Sequence, residues 1–259
     1  MKFSIRKRYV IIVIVLLAAV AVLYAKAQYV VPIIMYHNID ENSDSSRLSV
    51  SPESFKTQMN FLKNQHYNVV KLEDLSGILK GNKFPPKTIA ITFDDGYKNN
   101  YFNAYPVLKQ LGLHATIFII PALVGTDDYL TWKQILEMYE SGFIEIGSHA
   151  MTHPWLPTQP KENLDSEISG SKSVIESHLN KETSSFSYPL GGFNKDVRAK
   201  VIEAGYKIAV ATNPGKKYPK HDLFAMKRLR ISSTSDNLLV FWFEITGFYT
   251  WIKEHRDKD

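Results

Sequence analysis

The sequence predicts an α/β fold of repeated β–α units around a largely parallel sheet, and three observations carry that prediction. From Val31 onward, short β-rich apolar runs alternate with amphipathic stretches. No internal repeat, low-complexity tract or Gly/Ser linker divides the chain. An apolar content of 44% and an aromatic content of 12% over 259 residues suffice for one large core.

The strand-like runs are "PIIMYH", "NVVKL", "TIAITFDD", "ATIFII", "FIEIGSH", "SFSYP", "KIAVAT" and "MKRLRIS". After the first of them, "SPESFKTQMNFLKNQH" opens with Ser51 as N-cap and Pro52 at the first helical position. It sets Phe55, Met59 and Leu62 on one face, which predicts a helix. Further helices are predicted at about 98–111, 131–141, 161–180 and 194–204, with Leu164, Ile168, Ile175 and Leu179 at helical spacing in 161–180. The segment Asn38–Ser51 is polar and reads as a loop.

Residues 1–27 read apart from the domain at 28–259. "YVIIVIVLLAAVAVLYA" is apolar from Val10 to Ala25 and follows Lys2, Arg6, Lys7 and Arg8. It is expected to be a membrane anchor, or a signal peptide cut near Ala25-Lys26-Ala27, because no polar face interrupts it as a buried helix of the fold would require. Either reading places the domain outside the cytoplasm. The same segment carries the basicity: of the net charge of +5, all five units sit on Lys2, Arg6, Lys7, Arg8 and Lys26. The remainder is neutral, without the clustered basic footprint of a nucleic-acid binder. The chain has no cysteine, which excludes disulfides, thiolate catalysis and Cys-ligated metals.

An open doubly wound sheet and a closed barrel both put their ligand site at the carboxyl ends of the strands. The conspicuous polar residues collect there: Tyr36-His37, Asp94-Asp95, Ser148-His149 and Tyr188-Pro189. Asp94-Asp95-Gly96 alone could be an ordinary surface turn, yet Gly96 also lets the chain bend so that both carboxylates lean toward one cavity. "GSHAMTHPW" adds His149 and His153, whose spacing in a helical turn would put two imidazoles on one side. Two histidines and one carboxylate make a facial site for a divalent metal with positions open to water and substrate. The remaining carboxylate is then a general base, the equipment of a metal hydrolase.

"TFDDGY", then "SHAMTH", then "FSYPLGG" resemble, in that order, the polysaccharide deacetylases of carbohydrate esterase family 4, the NodB-homology domain. The resemblance spans about 30–235, takes in "PIIMYHNI" and the Arg-x-Arg strand, and is strongest to the poly-N-acetylglucosamine deacetylase branch. It implies a distorted (β/α) barrel of seven or so parallel strands. It implies Asp95, His149 and His153 as ligands of a divalent metal, most often Zn2+, and Asp94 as the base activating a metal-bound water. The reaction implied is hydrolysis of N-acetyl groups on an N-acetylglucosamine polymer at the cell surface, with peptidoglycan as an alternative substrate and an inactive carbohydrate-binding protein as an alternative class. A metal phosphoesterase would want a second metal or a phosphate cradle, and the sequence has neither.

The resemblance also assigns the Leu190 N–H, after Pro189, to the oxyanion and Tyr188 to the pocket wall. Two motifs depart from the family pattern. The arginine that braces the base is replaced by Phe186-Ser187-Tyr188, leaving Arg228 or Arg230 of "MKRLRIS" to reach Asp94. The Leu-x-His motif of the general acid is reduced to "PKHDLF", so His37, opening on the same face, is the preferred acid. Trp155 is placed at the barrel mouth. The tail "NLLVFWFEITGFYTWIKEH" is expected to pack across the barrel as the last helix, with Trp242, Phe248 and Trp251 as its candidates for exposure.

Overall fold

The computed structural model describes residues 5–41, 48–81, 85–212, 218–250 and 252. The main sheet contains β1 (Ile33–Tyr36), β2 (Asn68–Val70), β3 (Thr88–Phe93), β4 (Ala115–Ile119), β5 (Ile144–Ser148), β6 (Ser185–Ser187), β7 (Ile208–Ala211), β8 (Met226–Lys227) and β9 (Leu229–Arg230). All its pairings are parallel, in the order β8-β7-β6-β5-β4-β3-β1-β9, with β2 against the first half of β3.

The expected strand at "MKRLRIS" is two. Met226 and Lys227 pair with β7, whereas Leu229 and Arg230 pair with β1, and Arg228 stands at the break. A single stretch of chain thus bridges the first strand and the seventh, and the sheet becomes a nearly closed, distorted (β/α) barrel.

The helices are α1 (Ile5–Gln28), α2 (Pro52–Asn64), α3 (Leu72–Lys80), α4 (Tyr105–Leu111), α5 (Trp132–Glu140), α6 (Lys161–Asp165), α7 (Ser171–Leu179), α8 (Lys195–Glu203) and α9 (Leu238–Glu244). Ser51 caps α2 as expected, its hydroxyl accepting the Ser54 N–H at 3.1 Å, and Phe55, Met59 and Leu62 are buried. A π-type turn, Asn100–Ala104, leads into α4, and another, Ser166–Gly170, joins α6 to α7. In α9, Phe241 is buried and meets Phe61 of α2 at 6.2 Å, while Trp242 and Phe248 remain partly exposed; Trp251 lies outside the described residues.

Helix α3 was not expected from sequence. It buries Leu72, Leu75 and Leu79 in one cluster with Val31, Ile33, Ala90 and Ile208, at or near the starts of their strands, and so fills the amino-terminal end of the barrel. Lys71 offers its first turn no side-chain cap. Instead the buried carboxylate of Glu145 on β5 accepts the Glu73 N–H at 3.0 Å and the Thr116 hydroxyl at 2.7 Å. The interior cluster continues up to Phe118, which lies 6.4 Å from the His149 ring. Gly147 makes room for Phe118: a Cβ there would come within 2.6 Å of the ring.

In α1 the side chains from Tyr9 to Tyr24 are exposed. This run falls short of the about 20 apolar residues a spanning helix needs, and among the described residues no helix is long and apolar enough to cross a membrane. The membrane-anchor reading of residues 1–27 is therefore not supported. Helix α1 is tied to the barrel where it ends, since Lys220 donates to the Ala27 carbonyl at 3.1 Å and the Val30 N–H donates to the Gly247 carbonyl at 2.9 Å.

Candidate active site

Strand register assembles the site. Tyr36 pairs with Phe93, and Ser148 with Phe186, so His37 and Asp94 follow side by side, as do His149 and Ser187. At the end of β3, Asp95 and Gly96 take φ of 71° and 75°. Two successive left-handed residues turn the chain so that Asp94 stays in the barrel mouth and Asp95 swings onto the rim. Both carboxylates still reach one histidine: His149 Nε2 lies 3.7 Å from Asp94 Oδ2 and 3.6 Å from Asp95 Oδ1.

His153 Nε2 is also 3.6 Å from Asp95 Oδ1, and one ligand atom from each of Asp95, His149 and His153 lies within 4.8 Å of the others. Ligand atoms about 2.0–2.1 Å from a tetrahedral ion would lie roughly 3.4 Å apart, so the group fits a divalent metal. The tautomer fits too. His149 Nδ1–H donates to the Ser187 carbonyl at 2.8 Å, leaving Nε2 with its lone pair facing the two aspartates.

The two histidines do not share a helical turn, as the spacing suggested. They bracket an irregular loop in which Ala150 and His153 both have φ of 62°. Two side chains hold that loop. The Ser148 hydroxyl accepts the Ala150 N–H at 3.2 Å, and Glu167 accepts the Thr152 N–H at 2.9 Å and the Thr152 hydroxyl at 2.6 Å. Glu167 comes from the π-type turn between α6 and α7. Sequence reasoning missed it; the turn that aims it has no compositional mark.

Asp94 is buried and held by Arg228, whose Nη1 donates to Oδ1 and Nη2 to Oδ2, both at 2.6 Å. Nη2 also donates to the Ser187 hydroxyl at 2.9 Å, and the guanidinium lies over Phe118 at 5.7 Å. Of the two candidate arginines, Arg228 makes the contact and Arg230 is exposed. Burial by itself would raise the Asp94 carboxyl, but the Arg228 charge and its fork of hydrogen bonds outweigh it and hold it well below the usual carboxylate range. On Asp95, burial and the charge of Asp94 push the carboxyl up to about 6. Burial pulls the His149 imidazole down to about 4 and lowers His153. With His149 neutral, its approach to Asp94 is no ion pair, and its nitrogen is ready for a metal.

Burial also lowers His37, whose Nδ1 is buried without a hydrogen-bond partner. Tyr188 is fully buried, stacked on Phe193 at 4.3 Å, and its hydroxyl donates to the Phe224 carbonyl at 3.0 Å. It belongs to the core and not to the pocket wall. Pro189 is buried, whereas Leu190 is exposed with φ of 55°. Trp155 is 44% exposed and packs so closely on Gly192 that a Cβ there would meet its ring at 2.1 Å. In "PKHDLF", Asp222 pairs with Arg198 at 2.9 Å, which gives that segment a structural role. Tyr97, two residues past Asp95 and stacked on Tyr129 at 5.2 Å, is a further rim residue that sequence reasoning passed over.

A two-histidine, one-carboxylate centre beside a buried, arginine-held carboxylate, at the carboxyl mouth of a (β/α) barrel, is the equipment of a metal-assisted hydrolase. The comparisons with known proteins narrow the class. A family model of polysaccharide deacetylases matches residues 81–209. The chain is 36% identical over 202 residues to YxkH of Bacillus subtilis (strain 168), a protein named for that family, covering 78% of this chain and 71% of YxkH. It is 30% identical over 211 residues to the poly-β-1,6-N-acetyl-D-glucosamine N-deacetylase of Staphylococcus aureus (strain MSSA476), covering 75% of this chain and 72% of that enzyme. Among solved structures, the Streptococcus pyogenes deacetylase PplD in complex with acetate superposes with a TM-score of 0.75 at 31% identity, over 81% of this chain and 96% of PplD. The chain belongs to the polysaccharide deacetylase family, whose members hydrolyse amide bonds.

Proposed function

We propose that the protein removes N-acetyl groups from an N-acetylglucosamine polymer outside the cytoplasm, with Asp95, His149 and His153 holding a divalent metal, most readily Zn2+. The observation that carries this reading is the placement of Asp94. It is ionised, fixed by Arg228, and 3.7 Å from the nearest ligand nitrogen, so the base and the ligand triad share one cavity. The activities of the S. aureus relative support the polymer, and the acetate bound to PplD is the product this chemistry releases.

When bound, the ion supplies Lewis-acid polarisation of the acetamide carbonyl and makes water more acidic. Asp94 takes the proton from the attacking water. Two of its lone-pair sites accept from Arg228 and a third from the Ser187 hydroxyl at 3.4 Å, which leaves one for that proton. The Leu190 N–H donates to the developing oxyanion, and its left-handed backbone fits a strained, purpose-built turn. As the C–N bond breaks, the departing amine needs a proton. His37, beside Asp94 in register and neutral at rest, is assigned to accept the proton that Asp94 took from the water and to pass it to that amine.

The test is acetate release by the full chain from β-1,6-linked N-acetylglucosamine oligomers and from peptidoglycan, with zinc or cobalt added, beside Asp94→Asn and His149→Ala. Metal-dependent release lost in both variants is the expected result. A folded, metal-loaded chain that releases no acetate from either substrate would overturn the reading.

A further inference from the structure

Beyond Asp95 the rim opens into a cavity of about 450 Å3 that the reaction above leaves unused. That volume is within the range of small-molecule sites, about 300–1,000 Å3. Tyr97, two residues past Asp95, lines this cavity and so joins the two places. The cavity floor is braced: the Asn99 amide donates to Asn38 Oδ1 at 2.9 Å and the Asn103 amide to the Ile39 carbonyl at 2.7 Å.

Its walls have two chemistries. Phe102, 59% exposed, is set edge-on against Tyr101 at 5.2 Å and presents an aromatic ring to solvent at the cavity. The carboxylates of Asp127 and Asp128 line the same cavity, together with Asp40 and Lys98. Lys98 donates to the Asp127 backbone carbonyl at 2.6 Å, and neither Asp127 nor Asp128 forms an ion pair among the described residues.

An aromatic face receives the apolar face of a sugar ring, and surplus carboxylates favour a cation. An acetamido sugar is neutral and gains nothing from them, whereas a hexosamine with a free amine carries a positive charge. We propose that this cavity is a subsite for a glucosamine unit already deacetylated, next along the polymer from the unit undergoing hydrolysis. The proposal rests on the deacetylase reading above. Each turnover then creates a sugar suited to the subsite, so free amines are made in clusters along the chain and not at random.

The experiment uses the full chain and its Phe102→Ala and Asp127→Asn/Asp128→Asn variants. Binding of a β-1,6-linked glucosamine trimer and of its fully N-acetylated counterpart is measured by calorimetry at low and high salt. The expected result is tighter binding of the glucosamine trimer, weakened about tenfold in each variant and by added salt. Equal or tighter binding of the acetylated trimer, or unchanged binding in both variants, would overturn the subsite. Acetate release is measured on the same preparations. If it fails while glucosamine binding still depends on Phe102 and the two aspartates, the hydrolase reading falls, and with it the subsite's place in a reaction, leaving a glucosamine-binding cavity.

Discussion

Arg228 and Asp94, 134 residues apart in the chain, meet through two hydrogen bonds of 2.6 Å each in a fully desolvated fork. Neither charge is tolerable there alone. Removing one partner of such a buried pair leaves an unpaired charge, at a cost of about 3–5 kcal/mol.

Arg228→Met is therefore expected to lower stability by about that amount at neutral pH, measured by denaturant unfolding. The sign with pH follows from the depressed Asp94 carboxyl. Its folded value lies below the unfolded one, so the pair stabilises above the unfolded value near about 4 and that contribution is lost as pH falls toward the lower, folded value. In Arg228→Met the carboxyl should rise, carrying the acid limb of the pH–rate profile upward with it. A profile unchanged in position would sink the assignment of Asp94 as base.

Metal uptake should be limited by Asp95. In the metal-free chain its carboxyl is raised to about 6, whereas His149 is pulled down to about 4 and stays neutral well below that. Zinc affinity should be level above neutrality and weaken by about tenfold per pH unit below the Asp95 value. Titration calorimetry across that range checks it. A flat profile through pH 6 would speak against Asp95 as a ligand.

Glu167 touches neither metal site nor substrate cavity, yet its two bonds to Thr152 hold the loop that delivers His153. Glu167→Ala should weaken zinc binding by about 10- to 100-fold, with Glu167→Gln retaining most of the affinity because the amide can still accept from the backbone and donate to the hydroxyl. Equal metal affinity in wild type and Glu167→Ala would show the loop to be self-supporting.

Tyr188→Phe separates two roles for one residue. The structure has its hydroxyl on the Phe224 carbonyl inside the core. Losing it should cost about 1 kcal/mol of stability and leave kcat nearly unchanged. A large fall in kcat at normal stability would return Tyr188 to the pocket.

The parts legible in the sequence are those with a local signature. The strand runs, the Ser51-Pro52 helix start, and the rim pairs at His37, Asp94-Asp95 and His149 follow from periodicity, capping and strand ends. What escaped depends on distant contacts. Helix α3 carries no cap of its own and is finished by Glu145, 72 residues from Glu73. The choice of Arg228 over Arg230 turns on which side of the barrel closure each falls. The pocket role for Tyr188 failed because Phe193 and Phe224, past the Gly191-Gly192 turn, fold back over it.

The seam at Met226–Arg230 has a temporal side. The ribosome delivers that stretch last among the barrel strands, so the fork around Asp94 is impossible until nearly the whole domain has emerged. Until then Asp94 has no guanidinium to offset its burial, and the barrel mouth remains an open edge. Competence for turnover is thereby coupled to the completeness of the chain: a molecule truncated before residue 228 could keep the residues of the ligand triad and still lack a working base.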